Sequence, residues 1–267
     1  HEMQRVLIAL SQMIAPYRHD IGQNVAFLGH LDFINAKARW AHDTKATLPL
    51  LSKENHVSLR KARHPLIDPQ RVVTNDIKIG EDYQAIIITG PNTGGKTITL
   101  KTLGIIQLMG QSGLFIPAEE GSTIGIFDNV FADIGDEQSL VQNLSTFSGH
   151  IDGVKAILEQ ITSRSLVLLD ELGAGTDPKE GAALAMAILD NIGSKGTMVV
   201  ITTHYPELKV YGYDRAKTIN ASMEFDQETL KPTYKLLLGI PGRSNGLEIA
   251  QRLGISPQVI DEARTFV

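Results

Sequence analysis

The feature that most constrains the fold of this chain is a glycine-rich loop between an apolar run and a helix-like run. The loop reads Gly90-Pro91-Asn92-Thr93-Gly94-Gly95-Lys96-Thr97, which fits the pattern G-x-x-x-x-G-K-[ST]. It follows Ala85-Ile86-Ile87-Ile88 and leads into Ile98-Thr99-Leu100-Lys101-Thr102-Leu103. A strand, a glycine-rich turn and a helix in this order form the phosphate-binding unit of nucleoside triphosphatases. The flanking runs therefore favour a nucleoside triphosphate site over a turn that matches the pattern by chance.

The residue types in this loop suit the chemistry of a triphosphate. Its glycines let the backbone approach phosphate oxygens closely, and the N–H groups at the start of the following helix face the anion. Lys96 supplies a positive charge for the β and γ phosphates, and the Thr97 hydroxyl can bind Mg²⁺. The predicted nucleotide-binding residues of the loop are Gly90, Pro91, Asn92, Thr93, Gly94, Gly95, Lys96, Thr97 and Ile98.

Two adjacent carboxylates follow a second apolar run. Leu166-Val167-Leu168-Leu169 predicts a strand that is covered on both faces, and Asp170 and Glu171 come directly after it. Asp170 is suited to hold Mg²⁺ through a water molecule, and Glu171 is suited to polarise the attacking water. A strand cap followed by a polar turn would explain an isolated Asp-Glu pair. The phosphate loop earlier in the chain favours the functional interpretation.

A histidine follows the next apolar run, Met198–Ile201, as Thr202-Thr203-His204. Ligands of parallel α/β sheets collect at the C-terminal ends of the strands, so we expect His204 to point toward the nucleotide. A neutral imidazole at that position could contact the γ-phosphate or the attacking water. A structural histidine is the alternative. The predicted catalytic residues are thus Glu171, His204 and Lys96.

Ser145 occupies a position that is typical of a helix cap, before a helix expected over residues 146–162. Capping of this helix is one interpretation. The other is that the positive N-terminal end of the helix contacts the γ-phosphate of a nucleotide bound by a second subunit.

The hydrophobic pattern divides the chain into a helical segment, residues 1–52, and an α/β domain, residues 53–267. In the domain, strands that alternate with helices predict a mostly parallel central sheet flanked by helices. We expect strands near 114–116, 130–132, 166–169, 198–201 and 234–238, helices over 96–112, 146–162 and 180–193, and two short helices within 247–267.

Composition limits the classes of function that the chain can have. The net charge of −5 gives no electrostatic argument for nucleic-acid binding. The basic group Arg60, Lys61, Arg63 and His64 is better interpreted as a solvated strand edge. There is no signal-like N-terminus, no apolar run near the ~18–20 residues of a membrane span and no cysteine, so we expect a cytoplasmic protein without a membrane partner.

Together these motifs resemble the ATPase domain of the MutS family, whose ATP sites are of the ABC class. The resemblance covers roughly residues 56–267, and Gly175 to Leu184 and Phe147 to His150 are most similar to the bacterial MutS-II branch. The matching segments are His64-Pro65, Thr89 to Thr97, Phe115 to Ala118, Ser145-Thr146-Phe147, Asp170 to Thr176, Thr203-His204-Tyr205 and Gly242 to Gly246.

The resemblance implies ATP and Mg²⁺ as ligands and a homodimer with two composite sites. One subunit would supply Lys96, Thr97, Asp170, Glu171 and His204, and the partner would supply Ser145. Residues 247–267 would help to hold the dimer, and the first 50 residues would be the end of a lever helix. By the same resemblance, Val72 and Val73 would contact the adenine, and Tyr234 lies where another base contact is expected.

Members of the branch are implicated in suppressing recombination, in binding branched DNA and in rescuing ribosomes. We expect any contacts with DNA or ribosomes to lie in regions outside this chain. A nucleotide-gated scaffold, in which slow hydrolysis is incidental, is the alternative to an ATPase whose hydrolysis cycle opens and closes a dimer. A kinase is disfavoured, because Asp170 and Glu171 suit activation of water better than an acceptor pocket.

Overall fold

The computed structural model describes residues 1–135, 143–226, 228–229, 231–242 and 246–266. Within these ranges the side chains of Asn92, residues 143–146 and Arg252 are not described. The chain divides into two compact units, His1–Ala46 and Thr47–Val267.

The first unit is helical throughout. Helix α1 (Glu2–Ile14) is followed by a 3₁₀ turn, Ala15–Tyr17, and by helix α2 (Arg18–Thr44). The turn contains Pro16, which interrupts the hydrogen bonding of a continuous α-helix because proline has no backbone N–H to donate. None of the residues of this unit is buried.

The second unit is an α/β structure. Its strands are β1 (Leu50–Leu51), β2 (Val57–Ala62), β3 (Asn75–Ile79), β4 (Ala85–Thr89), β5 (Thr123–Ile124), β6 (Asn129–Asp133), β7 (Ser165–Leu169), β8 (Met198–Thr203), β9 (Thr218–Asp226) and β10 (Lys231–Leu238). Its helices are α3 (Lys96–Gln111), α4 (Asn143–Gln160), α5 (Pro178–Ser194), α6 (Pro206–Asp214), α7 (Gly246–Arg252) and α8 (Pro257–Thr265).

The main sheet has the strand order β10-β9-β4-β8-β7-β6. All neighbours in this sheet are parallel except β10, which pairs antiparallel with β9. A smaller sheet has the order β1-β5-β2-β3. The prediction of an α/β fold with a mostly parallel central sheet is confirmed, and the C-terminal ends of β4, β7 and β8 lie beside one another.

Apolar residues cover the main sheet on both faces, as its continuous apolar strands require. Ile86 and Ile88 of β4 pack with α3 and the smaller sheet in one cluster. Ile87, between them, points into a second cluster with α4, α5 and α6. Because successive side chains of a strand alternate between faces, each central strand contributes to both clusters. The residues that end these strands are thereby fixed at one edge of the sheet.

The structure differs from the sequence-based expectation in several elements. No strand forms at 114–116, where Ile116 makes only an isolated bridge with Thr47. Gly113 and Pro117 flank this short run, and proline cannot donate to a strand ladder. Helix α6 and strand β9 were not predicted. No helix in the described part of the chain has the length and apolar character that a membrane crossing requires.

Candidate nucleotide site

The glycine-rich loop joins the end of β4 to the start of α3. Gly90 and Gly95 have φ angles of 131° and 94°, which L side chains rarely adopt, so glycine is required at both positions. The loop includes a 3₁₀ turn, Asn92–Gly94, and α3 begins at Lys96 with its N-terminal N–H groups at the loop. This strand–loop–helix arrangement is the one that the sequence predicts.

Lys96 is 1% exposed, although it carries an ammonium group. Its Nζ donates a hydrogen bond to the carbonyl oxygen of Gly90 at 2.6 Å and lies 3.5 Å from that of Thr203. Both carbonyls belong to strand ends at the same edge of the sheet. A buried positive charge at this position is suited to pair with an anion such as a phosphate.

Thr97 and Asp170 meet at this edge. The Thr97 hydroxyl donates to Oδ2 of Asp170 at 2.6 Å, and the Thr202 hydroxyl donates to Oδ1. The backbone N–H of Asp170 donates to the carbonyl oxygen of Asp133 at 2.9 Å, which fixes the carboxylate against the next strand. Two hard oxygen donors, a hydroxyl and a carboxylate, therefore stand side by side, and this donor set fits Mg²⁺.

Glu171 adopts a left-handed backbone conformation with φ of 49°. Its N–H donates to the Thr202 hydroxyl at 2.9 Å, and the N–H of Leu172 donates to the Thr202 carbonyl oxygen at 3.3 Å. A left-handed conformation is unfavourable for a residue other than glycine and often marks a functional site. Thr202 thus holds both Asp170 and Glu171 at the end of β7.

His204 follows β8, and its ring lies 4.6 Å from that of Tyr205, measured between centroids. Desolvation lowers the pKa of His204 from its ordinary value, and the positive charge of Lys96 lowers this pKa further. Both effects favour the neutral imidazole over the imidazolium. The hydroxyl of Tyr205 donates to the carbonyl oxygen of Gly173 at 2.8 Å, which ties the segment after Glu171 to the end of β8.

A cavity of about 330 Å³ lies beside the phosphate loop. Its lining includes all the residues proposed to contact a base, Val72, Val73 and Tyr234, together with Ile98 of the loop–helix junction. Asn75 lines the same cavity and holds Tyr234 in place, because its Nδ2 donates to the Tyr234 carbonyl oxygen at 3.0 Å. The cavity brings together residues that are far apart in sequence.

Gly242 contacts the root of the phosphate loop. Its N–H donates to the Thr89 hydroxyl at 2.8 Å, and the Nζ of Lys209 donates to its carbonyl oxygen at 2.6 Å. A Cβ added at Gly242 would lie 2.8 Å from the carbonyl oxygen of Thr89, so the approach depends on glycine. The segment after β10 therefore packs directly on the residue that precedes Gly90.

Three predicted features lie wholly or partly outside the described residues. The backbone of Ser145 lies within α4, which begins at Asn143, so Ser145 is inside the first turn and not at the cap. The side chains of Ser145 and Asn92 lie outside the described residues, as do residues 243–245 of the motif that begins at Gly242. Phe147, in the same helix, is next to Gly175, where an added Cβ would lie 3.2 Å from the Cβ of Phe147.

Four residues that sequence reasoning did not assign to the site contribute to its geometry. They are Thr202, Asp133, Asn75 and Tyr205, of which Thr202 contacts Asp170 directly. Thr202 follows an apolar run and is 0% exposed, so the position of a hydroxyl at a buried strand end is the signal that could have identified it. Asp133 ends a strand that is neither continuously apolar nor strictly alternating, and it carries no such signal.

A family model and individual related proteins indicate the same family for this chain. Residues 86–267 match the family model described as MutS domain V. The chain is 69% identical over 265 residues to the "Endonuclease MutS2" of Lactiplantibacillus plantarum. This match covers 99% of the chain and 34% of that protein. The protein of the same name from Enterococcus faecalis is 62% identical over 267 residues, with 100% and 34% covered. The chain thus spans about a third of the length of these relatives.

Proposed function

Because this chain belongs to the MutS family and contains its domain V, we propose that it binds ATP and hydrolyses it to ADP and phosphate. The resemblance to this family that the motifs indicate is thereby confirmed. The observation that carries the proposed activity is the buried Lys96 beside the paired Thr97 and Asp170, at the mouth of a glycine-rich loop. We assign the fold to the P-loop nucleoside triphosphatases of the ABC class.

Different residues of the site would bind different parts of the nucleotide. Lys96 and the N-terminal N–H groups of α3 hold the β and γ phosphates. Thr97 and, through a water molecule, Asp170 would hold Mg²⁺, which would neutralise phosphate charge. The base occupies the cavity lined by Val72, Val73 and Tyr234.

Glu171 and His204 act on the attacking water. The carboxylate of Glu171 accepts a proton from the water, whose oxygen bonds to the γ-phosphorus. The bond between that phosphorus and the bridging oxygen breaks, and ADP leaves. The neutral imidazole of His204 orients the water or the γ-phosphate through a hydrogen bond, and Lys96 stabilises the charge on the transferred group.

We further propose that the site is completed in a homodimer. Ser145, at the start of α4, would approach the γ-phosphate of the partner's nucleotide. The tail, 247–267, would hold the dimer, since it exposes Leu253 and Phe266, each 82% exposed, and exposed apolar side chains are typical of interfaces.

The organisation of the longer protein follows from the same proposal. We assign residues 1–52, whose helices are α1 and α2, to the end of a lever segment, and residues 53–267 to the ATPase domain. Two relatives are named endonucleases, and each is about three times as long as this chain. We assign the contacts with branched DNA or ribosomes, and roles in suppressing recombination or rescuing ribosomes, to segments of a longer cytoplasmic protein.

Substitution of the proposed base tests this function. Glu171→Gln should abolish ATP turnover, because an amide cannot accept the proton, while binding of ATP is retained and a dimer accumulates with ATP bound. Phosphate release and sedimentation measure these effects. Glu159→Gln is the matched control, since Glu159 is exposed on α4. Turnover of Glu171→Gln at the wild-type rate would show that Glu171 is not the base.

A further inference from the structure

A histidine–carboxylate pair lies next to the proposed site and contacts it through the backbone of Asp133. Nδ1 of His150, in α4, lies 2.8 Å from Oδ2 of Asp133, the last residue of β6. The side chains of His150 and Asp133 are 30% and 23% exposed, so the pair is largely shielded from water. An ionised carboxylate only accepts hydrogen bonds, so Nδ1 of His150 is the donor.

Hydrogen bonds connect this pair to the catalytic edge of the sheet. The carbonyl oxygen of Asp133 accepts from the N–H of Asp170 at 2.9 Å. Asp170 in turn accepts from Thr97 at 2.6 Å. A continuous path therefore leads from the side chain of His150, through both functional groups of Asp133, to the residues that hold Mg²⁺ in the proposed site.

Glycines on both sides make room for the close approach of α4. A Cβ added at Gly135 would lie 2.7 Å from Cε1 of His150, and a Cβ at Gly153 would lie 3.4 Å from Oδ1 of Asp133. Contacts below about 3.0 Å cannot be accommodated without a shift. A Cβ at Gly135 would therefore require the ring of His150 to shift from its present position beside Asp133.

The same helix contacts the segment that follows Glu171. A Cβ added at Gly175 would lie 3.2 Å from the Cβ of Phe147, which is three residues before His150 in α4. Helix α4 thus contacts the end of β6 through His150 and Gly175 through Phe147, two side chains that lie on the same face of the helix because they are three positions apart. Its N-terminal turn carries Ser145.

We propose that Asp133 and His150 are a positioning pair, which fixes α4 and Ser145 relative to Asp170 and Glu171. The proposed dimer needs α4 to be fixed relative to Asp170. Helix α4 would contact the nucleotide bound by the partner subunit, whereas Asp170 would act on the nucleotide bound by its own subunit. This inference rests on the proposed ATPase function. Neither His150 nor Asp133 contacts the reacting atoms in this assignment, so the pair acts through the residues that it holds.

Variants of the pair test the proposal through turnover. His150→Phe keeps a ring but removes the hydrogen bond, and kcat should fall about 10- to 100-fold while the affinity for ATP changes little. His150→Gln, whose amide can donate to Asp133, should recover most of the activity. Gly135→Ala should reproduce the defect of His150→Phe by displacing the ring. Gly149→Ala is the matched control, because a Cβ there meets nothing within 4 Å.

Hydrogen exchange separates this proposal from the proposed function. His150→Phe and Gly135→Ala should increase exchange in α4 and at the amide of Asp170, whereas Gly149→Ala should not. Unchanged exchange at both places would overturn the positioning role, with or without ATP turnover. If the wild-type protein hydrolyses ATP and His150→Phe has the same kcat, the positioning role would also be overturned. Absence of turnover in the wild-type protein would instead contradict the ATPase assignment, and the exchange comparison would still decide the role of the pair.

Discussion

At the scale of single residues, the hydroxyl of Thr97 has two partners in the proposed mechanism, the carboxylate of Asp170 and Mg²⁺. Thr97→Val keeps the shape of the side chain and removes its oxygen, so we expect ATP turnover to fall by about 10- to 100-fold or more. Thr97→Ser restores the hydroxyl and should restore most of the activity. Phosphate release at saturating Mg²⁺ measures the difference, and equal rates for Val and Ser would contradict the role of the oxygen.

The backbone of Glu171 supports a second prediction at this scale. With φ of 49°, this residue lies in a region that costs residues other than glycine about 1 kcal/mol or more. Glu171→Gly should therefore have a free energy of unfolding about 1 kcal/mol higher than Glu171→Ala, although both variants lack the carboxylate. Chemical denaturation compares the two. A less stable glycine variant would show that the left-handed conformation is not strained.

Much of the candidate site could be predicted from sequence at the residue scale, because its chemistry depends on local patterns. Lys96 and Thr97 belong to one motif, and Asp170 and Glu171 follow one apolar run. Thr202 could not be assigned a role in this way, because its contact with Asp170 spans 32 positions and exists only when β7 and β8 pair. The dependence on pairing is general for residues that position a catalytic group from a neighbouring strand.

At the scale of elements, the start of α5 shows how the site is held in place. Oδ1 of Asp177 accepts from the N–H groups of Lys179 and Glu180 at 3.0 and 3.2 Å, and this cap ends the segment that follows Glu171. Asp177→Ala should lower the free energy of unfolding by about 1 kcal/mol. Asp177→Ser, which can also cap, should lose less. Thermal or chemical unfolding distinguishes them, and equal losses would exclude capping as the cause.

Two differences between the predicted and the observed strands have a physical explanation. Strand β9 contains buried Asn220 and Ser222, so it lacks the continuous apolar run that identifies β7 and β8. It forms because β4 pairs with it along five positions, from Ala85 with Thr218 to Thr89 with Ser222. The predicted strand at 114–116 has the apolar residues, but in the described structure only Ile116 pairs, in an isolated bridge with Thr47. Pairing over distance decides both cases, and a local pattern does not contain it.

At the scale of the whole molecule, the two compact units differ in how they are stabilised. Residues 1–46 bury no side chain, whereas the second unit contains two apolar clusters and every described residue of the candidate site. A chain that begins at Thr47 should therefore fold and bind ATP. We expect one cooperative unfolding transition and stabilisation by a non-hydrolysable analogue of about 2.7 kcal/mol at 100 times its Kd. Calorimetry measures both, and loss of the transition would show that the core requires residues 1–46.

The contact between Gly242 and Thr89 has a consequence for the order in which the protein is made. The two residues are 153 positions apart, yet one supports the root of the loop that the other begins. During synthesis from the N-terminus, the strand, loop and helix of the phosphate-binding unit emerge long before the turn that supports them. If the chain binds ATP as proposed, the loop would reach its fully supported form only after β10 and the turn that follows it have been made, so a truncation before Gly242 would leave the root of the loop without this contact.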